Sequence, residues 1–385
     1  MIKLVCSPRE CYRKLQMKSL YVHFPFCESK CHYCDFYSLG KNRTGVGDPL
    51  KFENALLQES RLSADLLAPR LDSLFFGGGT PSLTPPESML HALSPLDLRS
   101  RIGPETEWTM EANPSSITLD SLKKYRAFGV NRISMGVQAL KDDLLKLLGR
   151  VHSRDEALHA LDVIFETGFT QASVDLLCGV PGQTLKDLES ALATLTKYPI
   201  THLSCYLLTL PPHHRMFPQL PHEDTQLEHL LFIDQWMTAK GFEHYEISNF
   251  AKPGGRSKHN LNYWNGGSYL GLGPSAHSYD AREKKRWKNI SSLHKYSELL
   301  LSGKPVTEWS ETLTGEQIEL EQWMLRLRLS EGFPRDWVEK HESKEKRSKT
   351  LLENGLLELH PQKPRFLRLT PRGFALSDHV IQSLA

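Results

Sequence analysis

Short β-rich runs alternate with longer amphipathic stretches between about Ser19 and Phe250. The β-rich runs are LYVHF, LDSLFF, EWTMEA, RISMGVQ, ASVDLL and HLSCYLL. In the stretches between them, such as TLKDLESALATLTKY, apolar residues recur at a spacing of three and four, which predicts amphipathic helices. Alternating strands and helices predict a parallel sheet with crossover connections. Six such units in series predict an α/β protein with a partial (β/α)6 barrel rather than a closed eight-stranded one.

The character of the sequence changes after Phe250, where the turn-rich segment AKPGG precedes an aromatic, glycine-rich passage. We therefore predict an N-terminal arm at 1–18, a barrel at 19–250 and a C-terminal domain at 251–385. The last part of that domain predicts two helices, two short strands (GLLELH and RFLRLT) and a closing helix, an order that resembles a winged helix. Because Met17 stands immediately before KSLYVHFPFC, the first segment with strand character, residues 1–16 are either a disordered arm or a misassigned start.

Composition limits the class of protein further. The 385 residues are 39% hydrophobic and 24% charged, which is enough for a sizeable core and a second domain. The 47 Lys and Arg residues nearly balance the 45 Asp and Glu residues, so the net charge of +2 creates no field that would recruit nucleic acid. No apolar run approaches the roughly 20 residues of a membrane span, and the first residues lack a signal-peptide core. We expect a cytoplasmic protein with neither a transmembrane segment nor a nucleic-acid partner.

Three of the seven cysteines, Cys27, Cys31 and Cys34, form a C-x3-C-x2-C loop directly after the first predicted strand. An odd number of cysteines, with the other four scattered, fits a disulfide framework poorly and metal binding well. The spacing allows three thiolates to bind three irons of a [4Fe–4S] cluster and leaves the fourth iron without a protein ligand. The alternatives are a zinc site that takes His23 or His32 as its fourth ligand, and three unrelated thiols.

The cysteine spacing, with Tyr33 immediately before the last cysteine, resembles that of the radical S-adenosylmethionine (SAM) superfamily. The resemblance implies that SAM chelates the open iron and that one electron from the cluster breaks a C–S bond, which releases a 5′-deoxyadenosyl radical. Active sites in such barrels lie at the C-terminal ends of the strands. Suitable groups stand at or near five strand ends here, beginning with the run from Gly77 to Pro81 after the second predicted strand.

The resemblance to the coproporphyrinogen-type branch of this superfamily implies a SAM site residue by residue. The implied residues are Tyr21, Tyr33, Gly78, Gly79, Thr80, Glu111, Gln138, Arg150 and Asp175. Glu111 and Arg150 would hold the methionine amine and carboxylate, whereas Gln138 and Asp175 would hold the ribose hydroxyls. The glycine run would approach the SAM amino group. Tyr21 would lie near the entrance of the site, and Tyr33 would lie near the adenine. Each polar residue taken singly also fits a satisfied structural group.

Two families of this branch resemble nearly the whole chain, the oxygen-independent coproporphyrinogen III oxidases and the haem chaperones. The oxidases typically carry a further cysteine two residues after the third cluster ligand, where this chain has Asp35 and Phe36. The oxidases also usually have a longer N-terminal segment that helps to enclose the porphyrinogen, whereas this chain offers at most the short arm before Met17. Both departures favour the haem chaperones, and that resemblance implies haem as cargo, haem-accepting proteins and an electron donor as partners, and a homodimer as one option for assembly.

The alternative function is oxidative decarboxylation of coproporphyrinogen III to protoporphyrinogen IX in porphyrin biosynthesis. The substrate carboxylates would need basic partners near the barrel mouth, and Arg132, Arg150 and Arg154 lie close in sequence to strand ends. No catalytic residue is assigned beyond the cluster and SAM site.

The predicted C-terminal domain contains a segment that resembles the H-N-x-x-Y-W motif of the haem chaperones. The resemblance implies a haem site at His259, Asn260, Tyr263 and Trp264. A neutral imidazole can ligate haem iron, and aromatic rings can pack against the porphyrin face. A packed, hydrogen-bonded core histidine explains the same residues. His277 is a second candidate ligand for the haem iron. His213 and His214 follow two prolines and are predicted to lie in a loop.

Overall fold

The computed structural model describes residues 16–41 and 48–384 of the chain. Most of the predicted N-terminal arm lies outside the described residues, so the choice between an arm and a misassigned start stays open. Met17 is buried and pairs with Leu67 in an isolated parallel bridge. It therefore belongs to the core of the protein.

Strands and helices alternate through most of the described chain. The strands are β1 Ser19–Phe24, β2 Phe26–Cys27, β3 Leu39–Gly40, β4 Ser73–Gly78, β5 Glu107–Ala112, β6 Arg132–Gln138, β7 Gln171–Cys178, β8 His202–Leu207, β9 Glu243–Glu246, β10 Asn249–Ala251, β11 Leu270–Leu272, β12 His277–Asp280, β13 Lys285–Asn289, β14 Thr307–Thr312, β15 Phe333–Pro334, β16 Leu357–Leu359 and β17 Phe366–Leu369. The α-helices are α1 Pro49–Ser63, α2 Pro86–Leu93, α3 Leu98–Arg101, α4 Leu119–Phe128, α5 Asp142–Leu148, α6 Arg154–Glu166, α7 Leu185–Leu195, α8 Glu223–Ala239, α9 Lys258–Trp264, α10 Leu293–Leu301, α11 Gly315–Arg326, α12 Asp336–Glu339, α13 Glu342–Glu353, α14 Pro371–Ala375 and α15 Ser377–Leu384. Short 3₁₀ turns lie at Ala64–Leu66, Pro81–Leu83, Ser94–Leu96, Pro114–Ser116 and Phe217–Gln219.

The largest sheet has the strand order β11-β1-β4-β5-β6-β7-β8-β10-β9. The six strands from β1 to β8 in this order run parallel, and each corresponds to one of the six β-rich runs of the sequence. The described edge strands β11 and β9 do not pair with each other, so the barrel is open. The predicted α/β fold with a partial six-unit barrel is confirmed. Three further strands extend the sheet at its edges: β11 pairs parallel with β1, β10 pairs antiparallel with β8, and β9 pairs antiparallel with β10.

The parallel strands have one apolar face and one polar face. Val22 and Phe24 of β1 are buried on the outer face, where Phe24 packs edge-on against Phe52 of α1 at 6.1 Å between ring centroids. Because successive side chains of a strand alternate between its two faces, the polar side chains of these strands point into the barrel. Glu111 of β5 and Asp175 of β7 are such inward-pointing groups, and both line the cavity described below.

The described residues after Phe250 contribute to more than one part of the structure. β11 joins the barrel sheet, and β12, β13 and β14 form a separate antiparallel sheet. Residues 315–384 surround a second apolar core, which contains Trp323 and Phe333. Helices, strands and closing helices follow in the order predicted there, although His341 has an extended backbone and separates α12 from α13. The predicted boundary at 250/251 stays a prediction. None of the described helices combines the length and apolar character needed to cross a membrane.

Candidate functional site

The three cysteines of the C-x3-C-x2-C loop line one cavity at the C-terminal ends of the barrel strands. Cys27 ends β2, which pairs with β3, so the loop between these short strands starts and finishes at one place. Cys27 is buried, whereas Cys31 and Cys34 are half-buried. The cavity has a volume of about 370 Å³, which lies in the range of small-molecule sites.

Most of the residues that the resemblance assigned to SAM surround this same cavity. They are Tyr33, Gly78, Gly79, Thr80, Glu111, Gln138, Arg150 and Asp175. These residues come from separate strands and loops of the barrel, and the parallel sheet brings their positions to one edge. Their ligand roles stay predictions, but the structure gathers them with the three cysteines around one volume.

Tyr21 is the residue of the predicted SAM set that does not line the cavity. It pairs with Phe75 in the middle of the β1–β4 ladder, and the two rings are stacked at 6.2 Å between centroids. Its hydroxyl lies 3.0 Å from Nδ1 of His23. Tyr21 is therefore deeper in the barrel than the site entrance, where the resemblance put it.

Several lining residues were not assigned from the sequence. Asn113 lines the cavity from the end of β5, Ser134 from β6 and Tyr206 from β8. Two-residue alternation along the strands could have identified Ser134 and Tyr206, since each is two or four positions from another inward-facing residue. Asn113 follows the end of β5 by one residue, and only its tertiary contacts reveal its position.

A hydrogen-bond network around Arg150 connects two of the three cysteines of the loop. Nη2 of Arg150 donates to Oδ1 of Asn113 at 2.7 Å, and Nδ2 of Asn113 donates to Oγ1 of Thr80 at 2.9 Å. The Thr80 hydroxyl donates to Sγ of Cys27 at 3.6 Å. On its other side, Nη1 of Arg150 donates to Sγ of Cys31 at 3.4 Å. The network therefore directs hydrogen-bond donors at two of the sulfur atoms.

These donors suit thiolates that bind iron. Burial raises the pKa of the Cys27 and Cys34 thiols, so protein burial alone disfavours their ionised forms. Metal coordination and hydrogen bonds to sulfur both favour the thiolate. The donor set of three thiols around one cavity therefore fits an iron–sulfur cluster, which would supply one-electron reducing chemistry when bound.

One donor atom of Arg150 is left available for a ligand. Its Nε is buried and has no hydrogen-bond partner in the described structure. A buried donor without a partner is costly, by about 1–3 kcal/mol. A ligand carboxylate in the cavity would satisfy this atom, which agrees with the predicted role of Arg150 toward the SAM methionine carboxylate.

The glycine run at the end of β4 is required by close backbone packing. A Cβ atom on Gly79 would lie 2.6 Å from the Phe26 carbonyl oxygen and 2.8 Å from that of Phe24. Gly78 has a φ of +107°, in the left-handed region that favours glycine. The amide of Gly79 donates to Phe24 at 2.7 Å, and that of Gly78 donates to Oε2 of Glu111 at 3.1 Å. The glycines therefore hold the β1–β2 connection and Glu111 in place, in addition to the ligand approach predicted for them.

Two buried acids point into the cavity. Burial, and secondarily the charge of Asp175, raises the pKa of Glu111 to about 8, although the Gly78 amide opposes the shift. Burial also raises the pKa of Asp175 to about 6, although hydrogen bonds from the hydroxyls of Ser204 and Ser134 oppose this shift. A bound cation would favour the ionised forms of both acids. This pair therefore fits a positively charged ligand such as SAM, which carries a sulfonium.

We expect Glu111 to make the ligand-free protein less stable as the pH rises. Its pKa is 4.5 ordinarily and about 8 in the folded protein, so the folded state keeps a proton that the unfolded chain releases. The stability contributed by neutral Glu111 is complete below the unfolded pKa and is lost as the pH rises through the folded one. Between about pH 5 and pH 8, the wild-type free energy of unfolding should fall by roughly 2–4 kcal/mol more than that of Glu111→Gln, measured by urea denaturation. Parallel pH profiles for the two proteins would contradict this.

The histidines that a zinc site would need have other partners. Nε2 of His23 lies 2.7 Å from the Tyr37 carbonyl oxygen, and its Nδ1 faces the Tyr21 hydroxyl. Nδ1 of His32 lies 3.1 Å from the Leu147 carbonyl oxygen. Across the part of the chain that the structure describes, no three His, Cys, Asp or Glu side chains are arranged to hold a single metal ion. Neither histidine lines the cavity that the three cysteines share, so the zinc alternative gains no fourth ligand from them there.

The loop that carries the three cysteines is held by two neighbouring segments. The His32 amide donates to the Leu148 carbonyl at 3.1 Å, and the His32 ring packs against Gly149, where a Cβ atom would lie 3.1 Å from it. His213 and His214 lie outside regular helices and strands, as predicted, and Nε2 of His214 is 2.9 Å from the His32 carbonyl oxygen. His214 therefore helps to anchor the loop that carries the cysteines.

The H-N-x-x-Y-W segment forms α9, which packs at the N-terminal end of the barrel. Ser257 caps this helix through the amide of Asn260. The carboxylate of Glu107, the first residue of β5, accepts hydrogen bonds from the amides of Lys258 at 3.0 Å and His259 at 3.1 Å. α9 is therefore attached to the end of the barrel opposite the cysteines.

His259 lies in the interior with both ring nitrogens hydrogen-bonded. Its relative exposure is 0%, its Nδ1 is 2.8 Å from Oγ of Ser73, and its Nε2 is 2.7 Å from the hydroxyl of Tyr263. The ring stacks on Phe75 at 5.2 Å between centroids. Burial lowers the pKa of His259 to about 3, so it is neutral at physiological pH. This is the packed core histidine that the sequence left as the alternative, and the imidazole has no free nitrogen for a haem iron here.

The other residues of the predicted haem site have separate surroundings. Tyr263 contacts Tyr269 at 4.5 Å between ring centroids, and the Trp264 ring lies under the Arg328 guanidinium at 4.2 Å. His277 is exposed at the start of β12 and contacts Trp309 edge-on. The structure thus keeps Tyr263 beside His259 and directs Trp264 toward the residues after 314.

Comparisons with known proteins agree with this geometry. A sequence model described as the radical SAM superfamily matches residues 21–195. Proteins of this superfamily bind a [4Fe–4S] cluster and SAM, the groups for which the cavity provides suitable residues. Among solved structures, coproporphyrinogen III oxidase (HemN) from Escherichia coli superimposes with a TM-score of 0.81 over 97% of this chain and 91% of that chain. The sequence identity of 22% limits this likeness to the fold.

Curated relatives extend over nearly the whole chain. A heme chaperone HemW from Mycobacterium tuberculosis is 32% identical over 373 residues, which cover 95% of this chain and 94% of the relative. A heme chaperone HemW from Bacillus subtilis is 37% identical over 326 residues, which cover 82% and 84%. The chain therefore belongs to the radical SAM superfamily and, within it, to the HemW family.

Proposed function

We propose that this protein is a haem chaperone that holds a [4Fe–4S] cluster and SAM at the barrel cavity and delivers haem to acceptor proteins. The observation that carries the proposal is the similarity to HemW proteins over almost the full length of both chains. The proposal includes haem as the cargo, an electron donor that reduces the cluster, and a cytoplasmic location for the protein.

The charge of the cavity supports a carrier over a coproporphyrinogen oxidase. The substrate of the oxidase carries several carboxylates, each of which needs a cationic or hydrogen-bonding partner when it is buried. Among the described residues that line the cavity, Arg150 is the only lysine or arginine. Arg132 is buried and donates to the Gly255 carbonyl, and Arg154 is exposed and pairs with Asp155. The arginines that the sequence suggested for the oxidase therefore do not converge on the cavity.

The proposal is tested by assaying haem binding and coproporphyrinogen consumption side by side on anaerobically reconstituted protein. We expect haem to bind with a ratio near one per chain, and coproporphyrinogen III to remain unconsumed in the presence of SAM and a reductant. A known oxidase serves as the positive control for turnover. Formation of decarboxylated porphyrinogen by this protein would support the alternative function, and failure to bind haem would refute the carrier.

A further inference from the structure

A second cavity, of about 390 Å³, lies outside the cluster site, between the end of α9, the turn from β12 to β13, and α11. Three aromatic residues, Trp264, Tyr279 and Trp337, line it. Its volume lies within the range of small-molecule sites, and aromatic faces are suited to binding a flat apolar ligand. The cavity can therefore receive part of a planar molecule.

The cationic groups of this cavity are not neutralised by acids. Lys284 and Arg326 line it, and in the described structure neither has an ion-pair partner. Arg326 donates to the neutral side-chain oxygen of Asn265 at 3.3 Å. The acid among the lining residues, Glu321, forms an ion pair with Arg286 at 2.5 Å. Two cations are thus available for a ligand with negative charges.

Trp264 is held firmly at this place. The guanidinium of Arg328 covers one face of its ring at 4.2 Å, and its Nε1 is buried without a hydrogen-bond partner. Cation–π contact fixes the orientation of such a ring. Trp264 thus presents a preorganised aromatic surface, and preorganisation reduces the cost of ligand binding.

The lining also lacks the three side chains that ligate haem iron most often. Among the described residues that line the cavity, none is histidine, cysteine or methionine. These are the residues that most often ligate haem iron. Tyr279 is the lining residue of a type that can ligate haem iron, and the contacts argued here are to the flat ring and the carboxylates of a ligand.

We propose that this cavity binds a tetrapyrrole dicarboxylate, with Trp264, Tyr279 and Trp337 against the macrocycle and with Lys284 and Arg326 near its carboxylates. The inference rests on the proposed function, because that function supplies the ligand class. It places the haem contact at the end of α9, whereas His259 keeps its structural role inside the barrel.

The test compares two double variants of the full-length protein in titrations with haemin and with metal-free protoporphyrin IX. Lys284→Gln with Arg326→Gln removes the two cations of the cavity. Lys123→Gln with Lys197→Gln removes the same charge from exposed positions on other elements and is the matched control. Cluster content and SAM cleavage, measured on each protein, report whether the fold is retained.

We expect the cavity variant to bind haemin at least about tenfold more weakly than the wild type, because charge-assisted contacts to carboxylates are lost. The control should bind normally, and metal-free porphyrin should bind the wild type within about threefold of haemin. Unchanged haemin binding by the folded cavity variant would overturn the site and leave the carrier function intact. Failure of the wild type to bind metal-free protoporphyrin IX would also overturn the site, since it would show that binding depends on an axial ligand to the haem iron. If the wild type binds no haemin, the proposed function itself fails.

Discussion

Replacement of Cys27 by alanine is expected to abolish assembly of the [4Fe–4S] cluster and reductive cleavage of SAM. Each of the three cysteines of the loop would hold a different iron, so the loss of one leaves an iron without its thiolate. The buried hydroxyl of Thr80 would also lose its sulfur partner. Iron and sulfide content of reconstituted protein should fall to background, and 5′-deoxyadenosine should not form with dithionite.

The control for this experiment is Cys11→Ser, which removes a thiol that the C-x3-C-x2-C pattern does not include. It should assemble a normal cluster and cleave SAM at the wild-type rate. A complete, active cluster in Cys27→Ala would show that the cluster ligands have been assigned incorrectly.

Replacement of Arg150 by alanine is expected to weaken SAM binding about a hundredfold, because hydrogen bonds to a charged group each contribute about 1.5–3 kcal/mol. The guanidinium has one buried atom free for a ligand, and its other nitrogens already bond Asn113, the Gly136 carbonyl and Cys31. Arg150→Lys keeps the charge but cannot reproduce this forked geometry, so it should restore only part of the affinity. Equilibrium dialysis with labelled SAM on reconstituted protein measures the effect.

Arg154→Ala is the matched control for Arg150. This arginine is exposed at the start of α6, and its side chain pairs with the exposed Asp155. Its removal should leave SAM affinity unchanged, as exposed ion pairs contribute about 0–1 kcal/mol. Wild-type SAM affinity in Arg150→Ala with an intact cluster would mean that the guanidinium supports the cysteine loop but does not bind the cofactor.

The strands of the barrel were predictable because their signal is local. Runs such as EWTMEA and RISMGVQ correspond residue for residue to β5 and β6. The start of α1 was not predictable in this way: the helix begins at Pro49, because Asp48 caps it and proline fits the first helical turn. Caps depend on one or two residues, which a periodic pattern of apolar positions does not include.

The gathering of the residues assigned to SAM around one cavity was predictable for a related reason. In a parallel sheet, the ends of successive strands meet at one edge, so residues that follow β-rich runs come together without detailed knowledge of the packing. Tyr21 differs from the rest of this set because it lies in the middle of β1 and not at its end. Its side chain is therefore inside the barrel, deeper than the cavity. The resemblance placed Tyr21 near the entrance of the SAM site, but at its depth in the barrel it contacts Phe75 and His23 instead.

The amino-acid sequence alone determined the alternation of strands and helices and the loop that carries the three cysteines. It also determined that polar residues following the strands gather at the C-terminal end of the barrel. Spacing along the chain is enough to specify each of these features. Only the tertiary structure decided that β11 returns to the edge of the barrel, that His259 is enclosed with Ser73 and Tyr263, and that Arg150 links two cysteine sulfurs. These arrangements depend on partners far away in the sequence. A buried polar group takes its properties from whichever partner the fold brings within hydrogen-bond distance, and no local pattern names that partner.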